Sequence, residues 1–177
     1  MKGQYFSFDA VVATLIMVVA ITSLVAYWFG VQSVVESRNN PMYADSLRMA
    51  ESLLSPGSPS NWTAYVTGNS ADLESIRQIG LTKNFSNELD RDKIDRLRAL
   101  SYDSSNYSKV GNIMRATGDY YIKIERTDDI NGEKFEIGVN PALFNATEVA
   151  IANRGAVIDD GSGKMVPMRL RLYLWRK

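Results

Sequence analysis

Side chains suited to binding a cation lie close together in one acidic segment, at Asp128, Asp129, Asn131 and Glu133. Their carboxylate and amide oxygens are the ligands that Ca²⁺ prefers. A calcium loop also needs a glycine at a fixed offset and a distant bidentate glutamate. Here Gly132 falls at the wrong offset and that glutamate is missing. The segment therefore predicts a hairpin turn, as does Asp159-Asp160, and no metal site is expected.

The chain contains neither histidine nor cysteine, and it has 20 basic and 20 acidic side chains. Thiolate nucleophiles, disulfides, imidazole bases and the common zinc ligands are therefore excluded. A balanced charge provides no general attraction to nucleic acid. The sequence has no glycine-rich phosphate loop, and nothing in it singles out a pair of catalytic carboxylates. We expect no enzyme activity, no cofactor and no small-molecule substrate.

Glycosylation is a further chemistry that the sequence suggests. Four asparagines match the acceptor pattern for N-glycosylation: Asn61, Asn84, Asn106 and Asn145. All four follow the long apolar segment described next, which favours a glycosylated domain on the far side of a membrane. The alternative is that these motifs are simply polar loops.

A long uncharged segment runs from Ala10 to Val35. A bilayer core requires about 20 apolar residues, so this segment predicts a transmembrane helix. Tyr27 and Trp28 lie toward its end, where aromatic rings favour the headgroup region. A buried core helix and a cleaved secretory signal are the alternatives, but a signal has an apolar region of only about 7–15 residues. Lys2 favours a cytoplasmic N-terminus and a C-terminal domain outside the cell.

The residues after the membrane helix predict a stalk and a head. Asn40-Pro41 fits either a new helix with a capping asparagine or a kink in one long helix. Ser55–Ser60 is rich in proline, glycine and serine and predicts the end of this helical region. The predicted domains are a transmembrane helix (residues 4–35), a stalk helix and linker (36–59) and an extracytoplasmic head (60–177). Helical spacing in the stalk places one set of residues on a common face: Tyr43, Leu47, Ala50 and Leu54.

The head is predicted to be α+β. Helical patterns cover Asp90–Leu100 and Tyr107–Ala116, the second closed by Gly118. Alternation then predicts a hairpin around Asn131-Gly132, a third strand beginning at Val149 and Ile151, and a fourth near the C-terminus. We expect short helices packed on a C-terminal antiparallel sheet of about four strands. In the fourth strand, one face is apolar (Met168, Leu170, Leu172, Leu174) and the other is not (Arg169, Arg171, Tyr173, Trp175).

The N-terminal motif resembles the class III signal of archaeal type IV pilins and pilin-like proteins. The residues that carry the resemblance are Lys2-Gly3-Gln4, then Ser7-Phe8-Asp9, directly before the apolar helix. Pro56–Trp62 is also similar to a segment of pilin-like archaeal membrane proteins. The resemblance implies that residues 1–3 are a leader, which a prepilin-type peptidase removes between Gly3 and Gln4. It also implies that the helix assembles with the helices of other pilins.

Asp9 is the only charged residue between Lys2 and Glu36. One interpretation places it among lipid headgroups near the helix start, where the helix dipole favours a negative charge. The resemblance implies instead that Asp9 pairs with the new amino terminus of Gln4 on a neighbouring subunit.

The sequence therefore predicts a pilin-like structural subunit, major or minor, of an archaeal cell-surface filament. The alternative is a membrane-tethered binding or sensor domain that does not polymerise.

Overall fold

The computed structural model describes residues 3–39, 41–67, 70–84, 87–129 and 132–177, with the backbone alone for 3–7, 33–39, 67, 70 and 71. It divides into two compact units, one ending at Asn40 and one comprising Pro41–Lys177, which we call the folded unit. The helices are α1 (Gly3–Asn39), α2 (Pro41–Leu53), α3 (Arg91–Tyr102) and α4 (Ser104–Met114). The strands are β1 (Val66–Thr67), β2 (Ser70–Ala71), β3 (Glu88–Leu89), β4 (Asp119–Arg126), β5 (Lys134–Gly138), β6 (Glu148–Asp159) and β7 (Met165–Arg176). Short 3-10 helices occupy Trp62–Tyr65, Leu73–Ser75 and Pro141–Leu143.

The described chain is α+β, as predicted, but its main sheet has five strands in the order β3-β6-β7-β4-β5. The prediction of about four antiparallel strands is therefore wrong in one respect. The added strand, β3, runs parallel to β6 and pairs Glu88 with Val157 and Leu89 with Ile158. A strand of two residues is too short for alternation to reveal it. β1 and β2 form a separate two-stranded ribbon.

The inner face of the sheet forms the core. In β7, the residues predicted to be apolar and buried are at most 1% exposed: Met168, Leu170, Leu172 and Leu174. On β4 and β5 the same face presents Ile122, Ile124 and Ile137. The inward residues of β6 include Ala150, Ala152 and Ala156. Because these side chains are small, α2 packs closely over β6 and β7.

α2 belongs to this core and is not part of a separate stalk. It begins at Pro41, where proline suits the first turn of a helix, whereas Asn40 lies outside the described residues. Its buried residues are Met42, Ser46, Met49, Ala50 and Leu53. The predicted face shares only Ala50 with this set. Its other members each follow a buried residue by one position and are only partly buried against the core: Tyr43, Leu47 and Leu54. The folded unit thus begins at Pro41 and not near residue 60.

The two other helices of the folded unit begin at aspartate caps. Asp90 accepts a hydrogen bond from the Asp92 amide at 3.0 Å, and Asp103 accepts one from the Ser105 amide at 2.9 Å. α3 buries Ile94 and Leu97, as predicted.

The predicted end of α4 at Gly118 is wrong, because Arg115 ends the helix in the left-handed conformation, with φ 55°. Gly118 is needed for another reason. A Cβ there would lie 2.4 Å from the Trp175 carbonyl oxygen, so only glycine allows the chain to approach β7 this closely.

The Pro56–Trp62 segment is anchored to the core at its two ends. The Trp62 side chain is fully buried, and its Nε1 donates to the Gly80 carbonyl oxygen at 2.8 Å. The buried Lys93 Nζ donates to the carbonyl oxygens of Pro56 and Thr82, each at 2.8 Å. Burial lowers the pKa of the Lys93 ammonium from its usual value. These contacts explain the tryptophan at position 62 by packing.

One residue of β7 departs from the prediction for its outer face. Trp175 lies on that side of the strand, yet its side chain is fully buried. The Phe144 ring stacks on it at 5.9 Å, and its Nε1 donates to the Val139 carbonyl oxygen at 3.0 Å. The connection between β5 and β6 thus covers this end of the outer face.

The packing of α2 predicts where the folded unit can be separated from the rest of the chain. A fragment of residues 41–177 should unfold cooperatively, whereas a fragment of residues 60–177 should not. The shorter fragment loses Met42, Met49 and Leu53, each contributing about 1.5–3 kcal/mol of burial. That loss is comparable with the 5–15 kcal/mol stability of a typical domain. Thermal unfolding followed by near-UV circular dichroism tests this, and equal melting of the two fragments would contradict it.

Candidate functional site: the apolar helix and the exposed asparagines

α1 is long and apolar enough to cross a membrane. Its residues Phe8–Gln32 form a 25-residue stretch with a mean hydropathy of 2.4. At 1.5 Å per residue this stretch is about 37 Å long, which exceeds the hydrocarbon thickness of about 30 Å. By length and composition alone, the helix of a signal sequence would meet the same criterion.

None of this stretch is buried in the structure. Phe8 and Leu24 are each 69% exposed and Trp28 is 64% exposed. Apolar side chains project from all sides of this helix, so it lacks the polar face of a helix that lies flat on a membrane. These exposed apolar side chains make α1 a candidate membrane span.

The hydroxyl groups within α1 are satisfied inside the helix. Thr14 Oγ1 donates to the Ala10 carbonyl oxygen at 2.7 Å, and Ser23 Oγ donates to that of Val19 at 2.8 Å. Thr22 Oγ1 donates to the carbonyl oxygens of Val18 and Val19. A hydroxyl that bonds to its own helix needs no water, which lowers the cost of placing it in hydrocarbon.

The predicted processing and pairing residues lie at the start of α1. Gly3 is its first residue, Gln4 follows in the first turn, and Asp9 lies two turns in with its side chain exposed. Gln4 and Asp9 are five residues apart, whereas groups on one helix meet at separations of three or four. A pair between Asp9 and the amine of Gln4 would therefore have to join two chains.

Three of the four glycosylation candidates lie in loops, and the fourth lies in a helix. Asn61, Asn84 and Asn145 are exposed, and Asn145 lies in a turn with φ 40°. Asn106 is half-buried within α4, where its Nδ2 donates to Asp103 Oδ2 at 3.0 Å. The first three asparagines are therefore open to a modifying enzyme in the folded protein, whereas the fourth is held by its helix.

The acidic segment that suggested a cation site is paired with arginines. Asp128 accepts from Arg126 at 2.9 Å, and both carboxylate oxygens of Glu133 accept from Arg91. Asn131, in the predicted hairpin turn, lies outside the described residues. Within the described ranges, no three acidic side chains are placed to hold a metal ion.

The structure also contains a feature that sequence reasoning missed, a shallow groove of about 530 Å³ on the outer face of the sheet. β6 and β7 line it with Ile151, Asn153, Gly155, Arg169, Arg171 and Tyr173. Alternation in β7 predicts its exposed side chains. It does not reveal which residues of β6 lie beside them, because pairing register is not encoded in one strand.

Comparison of the chain with protein-family models, with curated proteins and with solved structures finds no match. The function must therefore be inferred from the residues and their geometry.

Exposure of α1 predicts how the chain responds to a charge at the helix centre. Ala20→Arg should reduce stable membrane insertion, because arginine at this depth costs about 2.5–3.5 kcal/mol on insertion scales. Ala99→Arg, at an exposed position of α3, is the matched control and should leave insertion unchanged. Carbonate extraction of membranes separates inserted from free protein. Equal insertion of Ala20→Arg and the original chain would contradict a central transmembrane position for Ala20.

Proposed function

We propose that the chain is a pilin-like structural subunit, major or minor, of an archaeal cell-surface type IV filament. In this proposal α1 first spans the cell membrane, with its N-terminus in the cytoplasm and the folded unit outside. A prepilin-type peptidase removes residues 1–3 and leaves Gln4 as the new N-terminus. The apolar helices then leave the lipid and pack against one another in the filament core.

One observation carries this proposal. The chain combines an apolar helix whose side chains are exposed with a folded unit that has its own core. α1 exposes apolar side chains on every side over the 25-residue stretch. The folded unit closes its core with α2. Lipid and a bundle of identical helices are both apolar surroundings, so α1 can pass from one to the other without exposure to water.

Asp9 supplies the specificity that apolar contacts lack. A carboxylate within a helix bundle is stabilised when a cation lies beside it and is costly when none does. The amine of Gln4 on a neighbouring chain is the cation that processing creates. A subunit that enters the bundle in a shifted register leaves the Asp9 carboxylate without a neighbouring cation. The ion pair therefore favours a single register.

An alternative function uses the same anchor without polymerisation. In it the folded unit is a membrane-tethered binding or sensor domain. The outer groove is the observation behind this alternative, because a solitary anchored domain needs a binding surface, although a filament subunit could use one as well.

Substitution of Asp9 tests the proposal. Asp9→Asn removes the charge and keeps the side-chain shape, so the variant should be inserted and should lose residues 1–3 like the original chain. It should, however, be at least about tenfold depleted from sheared surface filaments, the effect of losing roughly 1.4 kcal/mol or more of ion pairing. Intact-mass measurement of membrane extracts and peptide quantification of filaments give the two readouts.

Asp95→Asn is the matched control, because Asp95 is exposed on α3 and should have no effect on assembly. Retention of Met1 in the extracted protein would contradict processing. Normal incorporation of Asp9→Asn into filaments would contradict the pairing, and the absence of the original chain from filaments would favour the tethered domain.

A further inference from the structure

The outer groove is built from two neighbouring strands in a fixed register. Across the sheet, Ile151 pairs with Tyr173, Asn153 with Arg171, and Gly155 with Arg169. Residues on one face of a strand are about 6.8 Å apart, so the groove extends about 14 Å along β7. An apolar and aromatic pair therefore lies at one end, a pair of polar side chains at the centre, and an arginine beside a glycine at the other end.

Gly155 gives the groove its depth. A Cβ built on this residue would meet no heavy atom within 4 Å, so the space above it is open. Its backbone does not require glycine, because it is not among the residues with positive φ and it lies within a regular strand. Packing in the described structure therefore gives no reason for a glycine here, whereas an occupant of the groove would.

The groove lies in a region of positive charge on a chain that is neutral overall. Two rows across the outer face hold four cations and two carboxylates: Lys123, Lys134, Arg169 and Arg171 with Glu125 and Glu136. Glu125 is already shared, because it accepts from Lys123 at 2.7 Å and from Arg171 at 3.1 Å. The Arg169 side chain forms no hydrogen bond or salt bridge with the described residues, although it lies opposite Glu125 across the sheet and contributes to lowering the pKa of that carboxyl. Its guanidinium remains available for an anion.

We propose that this groove binds an acidic saccharide, a short sugar chain that carries carboxylate groups. The half-buried Tyr173 ring and Ile151 offer an apolar surface to the C–H face of a sugar ring. Asn153 can donate to and accept from hydroxyl groups, and Arg169 can bind a carboxylate through two parallel hydrogen bonds. The groove is open and has no deep apolar pocket of the kind that anchors a peptide side chain, which favours a sugar over an acidic peptide.

This inference does not depend on polymerisation, because all of these residues belong to the folded unit. It can fail while the filament proposal holds, and the reverse is also true.

The test is calorimetric titration of the full chain in detergent micelles with trigalacturonate. Trigalacturonate should bind, and the neutral maltotriose should bind at least about tenfold more weakly. Arg169→Ala should weaken trigalacturonate binding about tenfold or more, as expected for the loss of a charge-assisted hydrogen bond. Gly155→Val should do the same by filling the groove, and since its Cβ would meet no heavy atom within 4 Å the thermal stability should be kept.

Arg98→Ala is the matched control, because Arg98 is an exposed arginine on α3, and this variant should bind like the original chain. Failure of trigalacturonate to bind at millimolar concentration would overturn the proposal. So would undiminished binding by Gly155→Val or an equal loss in Arg98→Ala. Equally tight binding of hexaglutamate would overturn the assignment to a saccharide and favour an acidic peptide.

Discussion

The apolar surface of α1 is the constraint on which the rest of the molecule depends. Over the 25-residue stretch no side chain is buried, and every large apolar group faces outward. Leaving such a side chain in water costs about 1.5–3 kcal/mol compared with burying it, and the helix has more than a dozen of them. The helix is long and apolar enough to cross a membrane, and both proposed functions place it in apolar surroundings.

The folded unit has a core of its own. In the described residues this core lies on the inner face of the five-stranded sheet, which is covered by α2, α3 and α4. The alanines of β6 allow α2 to lie close to the sheet, and Trp62 and Lys93 fix the connection that follows α2. Because α2, α3 and α4 cover the inner face, the outer face of the folded unit stays open between Ile151 and Arg169 and can carry a binding surface.

The sequence predicts those parts of the fold whose signal lies within one segment. The uncharged run indicates the helix α1, the alternation indicates the strand β7 and its buried face, and helical spacing in Asp90–Leu100 indicates α3. The errors arise where the decisive contact is distant in the chain. β3 has two residues and exists because Leu89 pairs with Ile158 of β6. Trp175 is buried by Phe144, about thirty residues earlier, and Gly118 is required by the backbone of β7 rather than by the end of α4. The outer groove escapes prediction for the same reason, since it depends on the register between β6 and β7.

The most direct test of the central claim is chemical accessibility of α1 in intact cells. The chain has no cysteine, so a single introduced thiol reports on one position. Ala20 and Ala99 are both exposed in the described structure, one in α1 and the other in α3. Ala99→Cys should react with a membrane-impermeant maleimide, whereas Ala20→Cys should stay unlabelled, because lipid or neighbouring helices surround it. Equal labelling of the two thiols in intact cells would contradict the claim that α1 is removed from water.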